Sequence, residues 1–272
     1  MRSSHHHNHH ARRLLCLTAL ACFVAGGTAY ACTRKAAVPQ LPELPAESLA
    51  QPAENGAQQS TLTAAQAQAL LDDPRMILVS RTHPITEDYP VETKECGSAT
   101  AINKTLQTEA ADAFLSMQAA AAKDGVDVRM QSGYRSVSYQ KKLYNNKTQY
   151  YRDKGLSEAA AREKAAAIVN PPGYSEHNCG LAADLNSPEH TTLDTGFADT
   201  AAFRWLCENA EQYGFILRYP KEAESVTGIT YEPWHWRYVG AENAALLNRS
   251  GLCLEDAITV LQRIAAGETV TG

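Results

Sequence analysis

Ser175-Glu176-His177-Asn178-Cys179-Gly180-Leu181-Ala182-Ala183-Asp184 and, further along the chain, Glu232-Pro233-Trp234-His235 are the stretches from which fold and chemistry are read together. Among their side chains are two imidazoles, a carboxylate and a spare carboxylate at His177, His235, Asp184 and Glu232. A catalytic zinc ion needs three neutral or anionic protein ligands and a fourth position left to water. That water in turn needs an unligated carboxylate as its proton acceptor. The two stretches therefore imply a zinc hydrolase.

Their spacing constrains the backbone. Asp184 lies an odd number of positions after His177, so on one continuous strand their side chains would face opposite ways; a turn is required, and Gly180 can make it. Glu232 and His235 would likewise oppose each other on a flat strand, and Pro233 disfavours a helix interior, so an irregular turn leading into a strand is expected. The chain has nine histidines. His5, His6, His7, His9 and His10 sit in an N-terminal tract that resembles a purification tag and is set aside. His83 and His190 lack any partner pattern and read as structural or exposed, which leaves His177 and His235.

Arg12 and Arg13, a short apolar run and the small residues Gly26-Gly27-Thr28-Ala29-Tyr30-Ala31 have the layout of a secretory signal over residues 1–31. Cys32 follows directly, so a lipid anchor there, simple cleavage and an uncleaved membrane tether all remain open; export is common to the three. Residues 32–60 are rich in Pro, Ala, Glu and Gln and read as a disordered spacer. Residues 61–272 then form one domain, with its core at about 75–255. The formal charge of −5 includes Arg2, Arg12 and Arg13 and no acid from residues 1–31, so the mature chain carries −5 − 3 = −8. No basic stripe points to nucleic acid. Of seven cysteines, Cys96, Cys179, Cys207 and Cys253 fall in the domain, enough for two disulfides in an oxidising compartment, with Cys207–Cys253 the favoured pair.

Residues 63–71 read as a short helix capped by Thr63, 76–79 as a short strand, and 105–123 as a long Ala-rich helix stopped at Asp124-Gly125. A strand over 126–131 delivers the loop Ser132-Gly133-Tyr134-Arg135-Ser136. Helices are expected over 138–154, 157–169, 200–213, 241–249 and 254–265, and strands over 181–185, 215–219 and 234–239. Helices first and short neighbouring strands later argue for an α+β fold in which a small antiparallel sheet carries the site, flanked by helices. Trp234, Trp236 and Tyr238 read as packing around it.

At these residues the chain resembles the LAS-type zinc peptidases, and within them the D-alanyl-D-alanine carboxypeptidase branch with its vancomycin-resistance enzymes and related L,D-carboxypeptidases. The pattern Ser-x-His-x-x-Gly-x-Ala-x-Asp is complete at Ser175, His177, Gly180, Ala182 and Asp184, and the Ser132–Ser136 and Glu232–Gly240 segments match in the same order. The resemblance implies the LAS or hedgehog-type fold, with His177, Asp184 and His235 as zinc ligands and Glu232 as catalytic base. It also implies Arg135 on the substrate carbonyl or terminal carboxylate, and Gln140, Ser175 and Tyr219 as substrate contacts. Without the resemblance, Ser175 is as well explained by orienting its loop, Gln140 by facing solvent, and Tyr219 by packing.

The expected activity is removal of the terminal D-Ala from peptidoglycan stem peptides by an exported monomer. An L,D-carboxypeptidase acting on tetrapeptide stems is the nearest alternative, with a dipeptidase and a crosslink endopeptidase behind it. A non-catalytic peptidoglycan-binding module is the alternative of a different class. Glu232 separates them, because a binder has no use for an unligated carboxylate beside a metal.

Overall fold

Alternation along short strands, interrupted on one edge by a register shift between Met130 and Ser132, sorts the central sheet into two chemically different faces. A computed structural model describes residues 62–270; the signal and spacer expectations for 1–31 and 32–60 lie outside the described residues. The sheet comprises β3 (Arg129–Ser132), β4 (Ala182–Asn186), β5 (Phe215–Leu217) and β6 (His235–Tyr238), in the order β3-β4-β6-β5 and antiparallel throughout. Met130, Ala183, Leu185, Phe215, Leu217, Trp236 and Tyr238 lie at alternating positions and share one apolar cluster. The intervening positions hold Ser132, Asp184, His235, Arg237 and Ile216, aligned across the strands by the register Ser132↔Asp184↔His235 and Arg237↔Ile216. One face thus builds a core and the other carries polar groups.

The apolar face is covered by α2 (Thr108–Lys123), through Ala110, Phe114 and Met117, and by α5 (Ala201–Asn209), through Phe203 and Leu206. Edge-to-face packing of Phe203 on Trp236 joins α5 to the sheet, with ring centroids 6.3 Å apart. A two-stranded ribbon of β1 (Thr93–Glu95) and β2 (Thr105–Gln107) precedes α2. That ribbon shortens the expected helix. Residues 105–107 pair with β1, and Gln107 caps α2 by accepting from the Ala110 N–H. The helices α3 (Val137–Asp153) and α4 (Glu158–Ala166) pack as a hairpin, tied by the Tyr144 hydroxyl donating to the Arg162 carbonyl.

A second cluster joins the two ends of the domain. The helix α1 (Ala64–Leu71), capped reciprocally by Thr63 and Gln66, packs with α8 (Leu254–Ala265) and α7 (Ala241–Ser250) around Ala67, Leu247, Leu254, Ala257 and Leu261. Ile216 and Val239 bring the sheet into this cluster, so α8 sits against the polar face rather than apart from it. The short helix α6 (Glu224–Thr227) lies in the insert between β5 and β6. Among the described residues no helix is long and apolar enough to cross a membrane.

Two expectations are corrected. Met76 ends the 3-10 turn Pro74–Met76 and residues 77–79 join no sheet; the carbonyls of Arg75 and Ile77 are taken by the Arg237 guanidinium instead of a neighbouring strand. The Cys207–Cys253 disulfide does not form. Cys253 is a free, buried thiol at the start of α8 with Sγ turned to Asp256, whereas Cys207 packs against the sheet-side cluster. Cys96 and Cys179 are also free and buried.

Truncating Leu261 to Ala should cost about 2–5 kcal/mol by leaving a cavity between α1 and α8. Urea denaturation checks this: the midpoint should fall while the slope holds.

Candidate metal centre

Gly180 and Gly133 make the local geometry that the motifs require. The His177 turn is a 3-10 segment, Glu176–Cys179, closed by Gly180 at φ +74°, from which β4 departs toward Asp184. A Cβ on Gly180 would lie 3.0 Å from the Gln107 nitrogen, and that N–H donates to the Gly180 carbonyl. Gly133 is pressed against β2, where a Cβ would lie 2.3 Å from the Thr105 carbonyl oxygen. Only glycine fits there. The Gly133 carbonyl in turn accepts from His177 Nδ1 at 2.8 Å. A carbonyl cannot donate, so Nδ1 carries the proton and Nε2 keeps its lone pair.

Asp184 and His235 meet by register across β4 and β6. Asp184 Oδ2 is 3.2 Å from His177 Nε2, and its Oδ1 is 3.0 Å from His235 Nδ1. One ligand atom from each of His177, Asp184 and His235 lies within 4.8 Å of the others, and all three residues are buried. His235 Nε2 points away, toward Glu176 Oε2 at 3.4 Å. Each ring is thus held at one nitrogen by the protein while the other faces a shared point. Two imidazole nitrogens and a carboxylate suit a divalent metal of the zinc type.

Glu232 stands where the expected turn puts it: the His235 N–H donates to the Glu232 carbonyl at 3.1 Å, and Glu232 Oε2 is 3.8 Å from His235 Nδ1. Its side chain is not a member of the ligand trio. Arg135 lies beside the His177 turn, with its N–H donating to the His177 carbonyl and its own carbonyl accepting from Asn178 Nδ2 at 2.7 Å. Its Nε is buried without a hydrogen-bond partner among the described residues. A guanidinium donor left unpaired in a buried site is costly unless a ligand completes it.

The charges are shared out by burial. Burial alone would raise the Asp184 pKa, but the two imidazoles hold it well below the usual carboxylate range. Burial pulls His235 down, and its hydrogen bonds to Asp184 and Glu176 override this and push it up to about 9. For His177, burial and the Arg135 cation keep the ring neutral. Burial pushes Glu232 up to about 7, against the opposing pull of His235. Burial lowers the Arg135 pKa, while Asp184, Tyr139 and Glu232 counter it.

The weaker expectations divide. Tyr219 is buried with its ring 4.9 Å from the His235 ring and the Arg218 guanidinium 4.7 Å over it, so it belongs to the site's wall. Ser175 heads the His177 turn and is buried, and its backbone carbonyl accepts from Asn178. Gln140 does not face solvent: it is buried, Nε2 donates to the Asn170 carbonyl at 2.6 Å, and Oε1 is unpartnered among the described residues. His83 and His190 stay outside the trio, bonded to Ser80 and Asp194 respectively. Trp236 and Tyr238 pack in the core, as expected of them.

Several site residues escaped the sequence reading. Glu176 is fully buried and accepts from Arg218 Nε at 2.7 Å and from Arg237 Nη1 at 2.8 Å, both on Oε1. Arg218 is itself forked onto Glu255 of α8, at 2.8 and 2.6 Å. The available signal was a lone arginine inside each of two apolar strand patterns, Phe215–Tyr219 and Trp234–Val239. A cation at a buried strand position calls for a buried anion.

The family model described as VanY: D-alanyl-D-alanine carboxypeptidase matches residues 103–241. This chain belongs to that family. A D-alanyl-D-alanine carboxypeptidase of Enterococcus faecalis (strain ATCC 700802 / V583) is 37% identical over 221 residues, 80% of this chain and 78% of that one. A substituted form of the vancomycin-resistance D,D-pentapeptidase VanY from a VanB-type cassette, solved with Zn(II), is 36% identical with a TM-score of 0.56, covering 68% of this chain and 99% of that one. The LdcB LD-carboxypeptidase structure is 33% identical with a TM-score of 0.59, covering 69% and 88%. The expected α+β fold is therefore that of the VanY and LdcB enzymes, and this VanY-family chain is a carboxypeptidase rather than a binding module.

Arg218→Met should cost about 3–5 kcal/mol, because it strips one cation from a fully buried carboxylate. Chemical denaturation of the variant beside the wild type measures this.

Proposed function

We propose that this VanY-family enzyme is a zinc-dependent D,D-carboxypeptidase that removes the terminal D-Ala from peptidoglycan stem pentapeptides. The observation that carries the reading is the convergence of His177, Asp184 and His235 with an unligated Glu232 beside them and a buried, unsatisfied Arg135 Nε. His177 Nε2, Asp184 and His235 Nδ1 would hold the ion. When bound, zinc lowers the pKa of a water ligand to about 7 and polarises a carbonyl. Glu232 takes a proton from the attacking water and delivers it to the leaving D-Ala nitrogen. Arg135 offers its unpaired donors to the substrate's terminal carboxylate, which distinguishes a carboxypeptidase from an endopeptidase. The Tyr219 ring bounds the site and keeps His235 from tilting. Export, expected from residues 1–31, would bring the enzyme to its substrate, and the chain is expected to act as a monomer.

An L,D-carboxypeptidase is the second reading, favoured by the likeness to LdcB. Mass spectrometry on muropeptides separates the two. Loss of one alanine from a stem ending in D-Ala-D-Ala, abolished by chelator, supports the D,D reading; loss from a tetrapeptide ending in a single D-Ala establishes the L,D activity instead.

Glu232→Gln should retain zinc and lose about 10²–10⁴-fold in kcat. Zinc content by atomic absorption beside the rate checks both halves, and a variant that hydrolyses normally overturns the assignment. A divalent cation beside Glu232 would draw its pKa below the value of about 7 that burial sets without one. Because the base works ionised, activity should fall as pH drops through that lower value, so the acid limb of kcat/KM is expected below pH ~7.

A further inference from the structure

We propose that Glu176 is a positioning residue for the metal centre, holding His235 with Nδ1 turned inward, and that Glu255 on α8 completes its brace through Arg218. The proposal rests on the zinc reading above and concerns residues to which that reading gives no role.

The division of Glu176's two oxygens carries the argument. Arg218 Nε and Arg237 Nη1 both donate to Oε1, at 2.7 and 2.8 Å, which leaves Oε2 for His235 Nε2 at 3.4 Å. Two cations on one oxygen keep the carboxylate charged although its side chain is wholly buried. A carboxylate facing Nε2 fixes the proton there, orients the ring and leaves the Nδ1 lone pair free to bind metal, while raising its basicity. Apolar residues would fill the same volume at less desolvation cost, so packing alone does not call for this cluster.

Both arginines are in turn locked by segments outside the region matched by the family model, residues 103–241. Arg237 Nη2 donates to the carbonyls of Arg75 and Ile77 at 2.9 and 2.8 Å. Arg218 places its remaining two nitrogens on Glu255, whose side chain lies at the rim with 17% exposure. The segment at 75–77 and α8 therefore reach His235 through one continuous set of hydrogen bonds and ion pairs. Glu255 reaches the trio through Arg218, whose Nε holds Glu176 and whose guanidinium also lies over the Tyr219 ring beside His235.

The test uses the full-length protein, its Glu176→Gln and Glu255→Gln variants, and zinc titrated against a chromophoric chelator. Glu176→Gln should weaken zinc binding about 10–100-fold. It should also lower kcat with KM unchanged and shift the slowly exchanging His235 Nε2–H proton resonance of the zinc-loaded protein upfield, because a neutral acceptor replaces a carboxylate. Glu255→Gln should weaken zinc binding in the same direction by a smaller factor. A folded Glu176→Gln protein with wild-type zinc affinity and an unmoved resonance overturns the proposal. Should that variant not fold, Glu255→Gln decides, and unchanged zinc affinity there overturns it. Failure of the wild type itself to bind zinc would instead remove the metal reading, and this proposal with it.

Discussion

Asp184 faces His235 across β4 and β6, and the site depends on that register. Slipping the pairing by one residue would turn Trp236 to the polar face and bury His235 and Arg237 against Phe203, because side chains alternate with a period of two. The apolar cluster under the sheet prevents this. Leu185, Phe215, Leu217, Trp236 and Tyr238 have somewhere to go only in the observed register. Hydrophobic packing on one face thus sets the placement of two candidate ligands on the other.

The third member of the trio, His177, and the Arg135 cation come from outside the sheet, and backbone contacts bring them in. Gly133 gives up its side chain to lie against Thr105, and its carbonyl then fixes the His177 ring. Asn178 binds both the Arg135 carbonyl and the Gly173 N–H, so the two loops carrying His177 and Arg135 behave as one piece. Such lacing suits catalysis, which needs groups held in place before substrate arrives.

Behind the site, the buried Glu176, Arg218 and Arg237 and the half-buried Glu255 form a set of two anions and two cations. Ion pairs of this kind contribute little net stability when complete and cost heavily when broken. Their presence beneath His235, where apolar residues would serve the fold, is better accounted for by chemistry than by stability. They also bind α8 to the polar face, so the C-terminal segment is coupled to the site.

Much of the site was legible in the chain alone. His177, Asp184, His235 and Glu232 stood out because metal and proton chemistry demand particular side chains, and the glycine and proline near them announced the turns that bring them together. Helices such as α2 and α8 were legible from their period, and the short strands from alternation and flanking turns. Pairings between distant segments were not. The β1–β2 ribbon, the run at 77–79 outside any sheet, the absence of a Cys207–Cys253 bond and the burial of Gln140 all depend on which partner a group meets in three dimensions. The same holds for Glu176, adjacent to His177 in sequence yet defined by Arg237 of β6, by Arg218 just after β5 and by a glutamate of α8. Residue chemistry and local period are written along the chain and so determined which side chains are candidates for ligands and base, and the class of fold. Which carboxylate braces which imidazole is a matter of long-range proximity, and only the packed tertiary structure decided it.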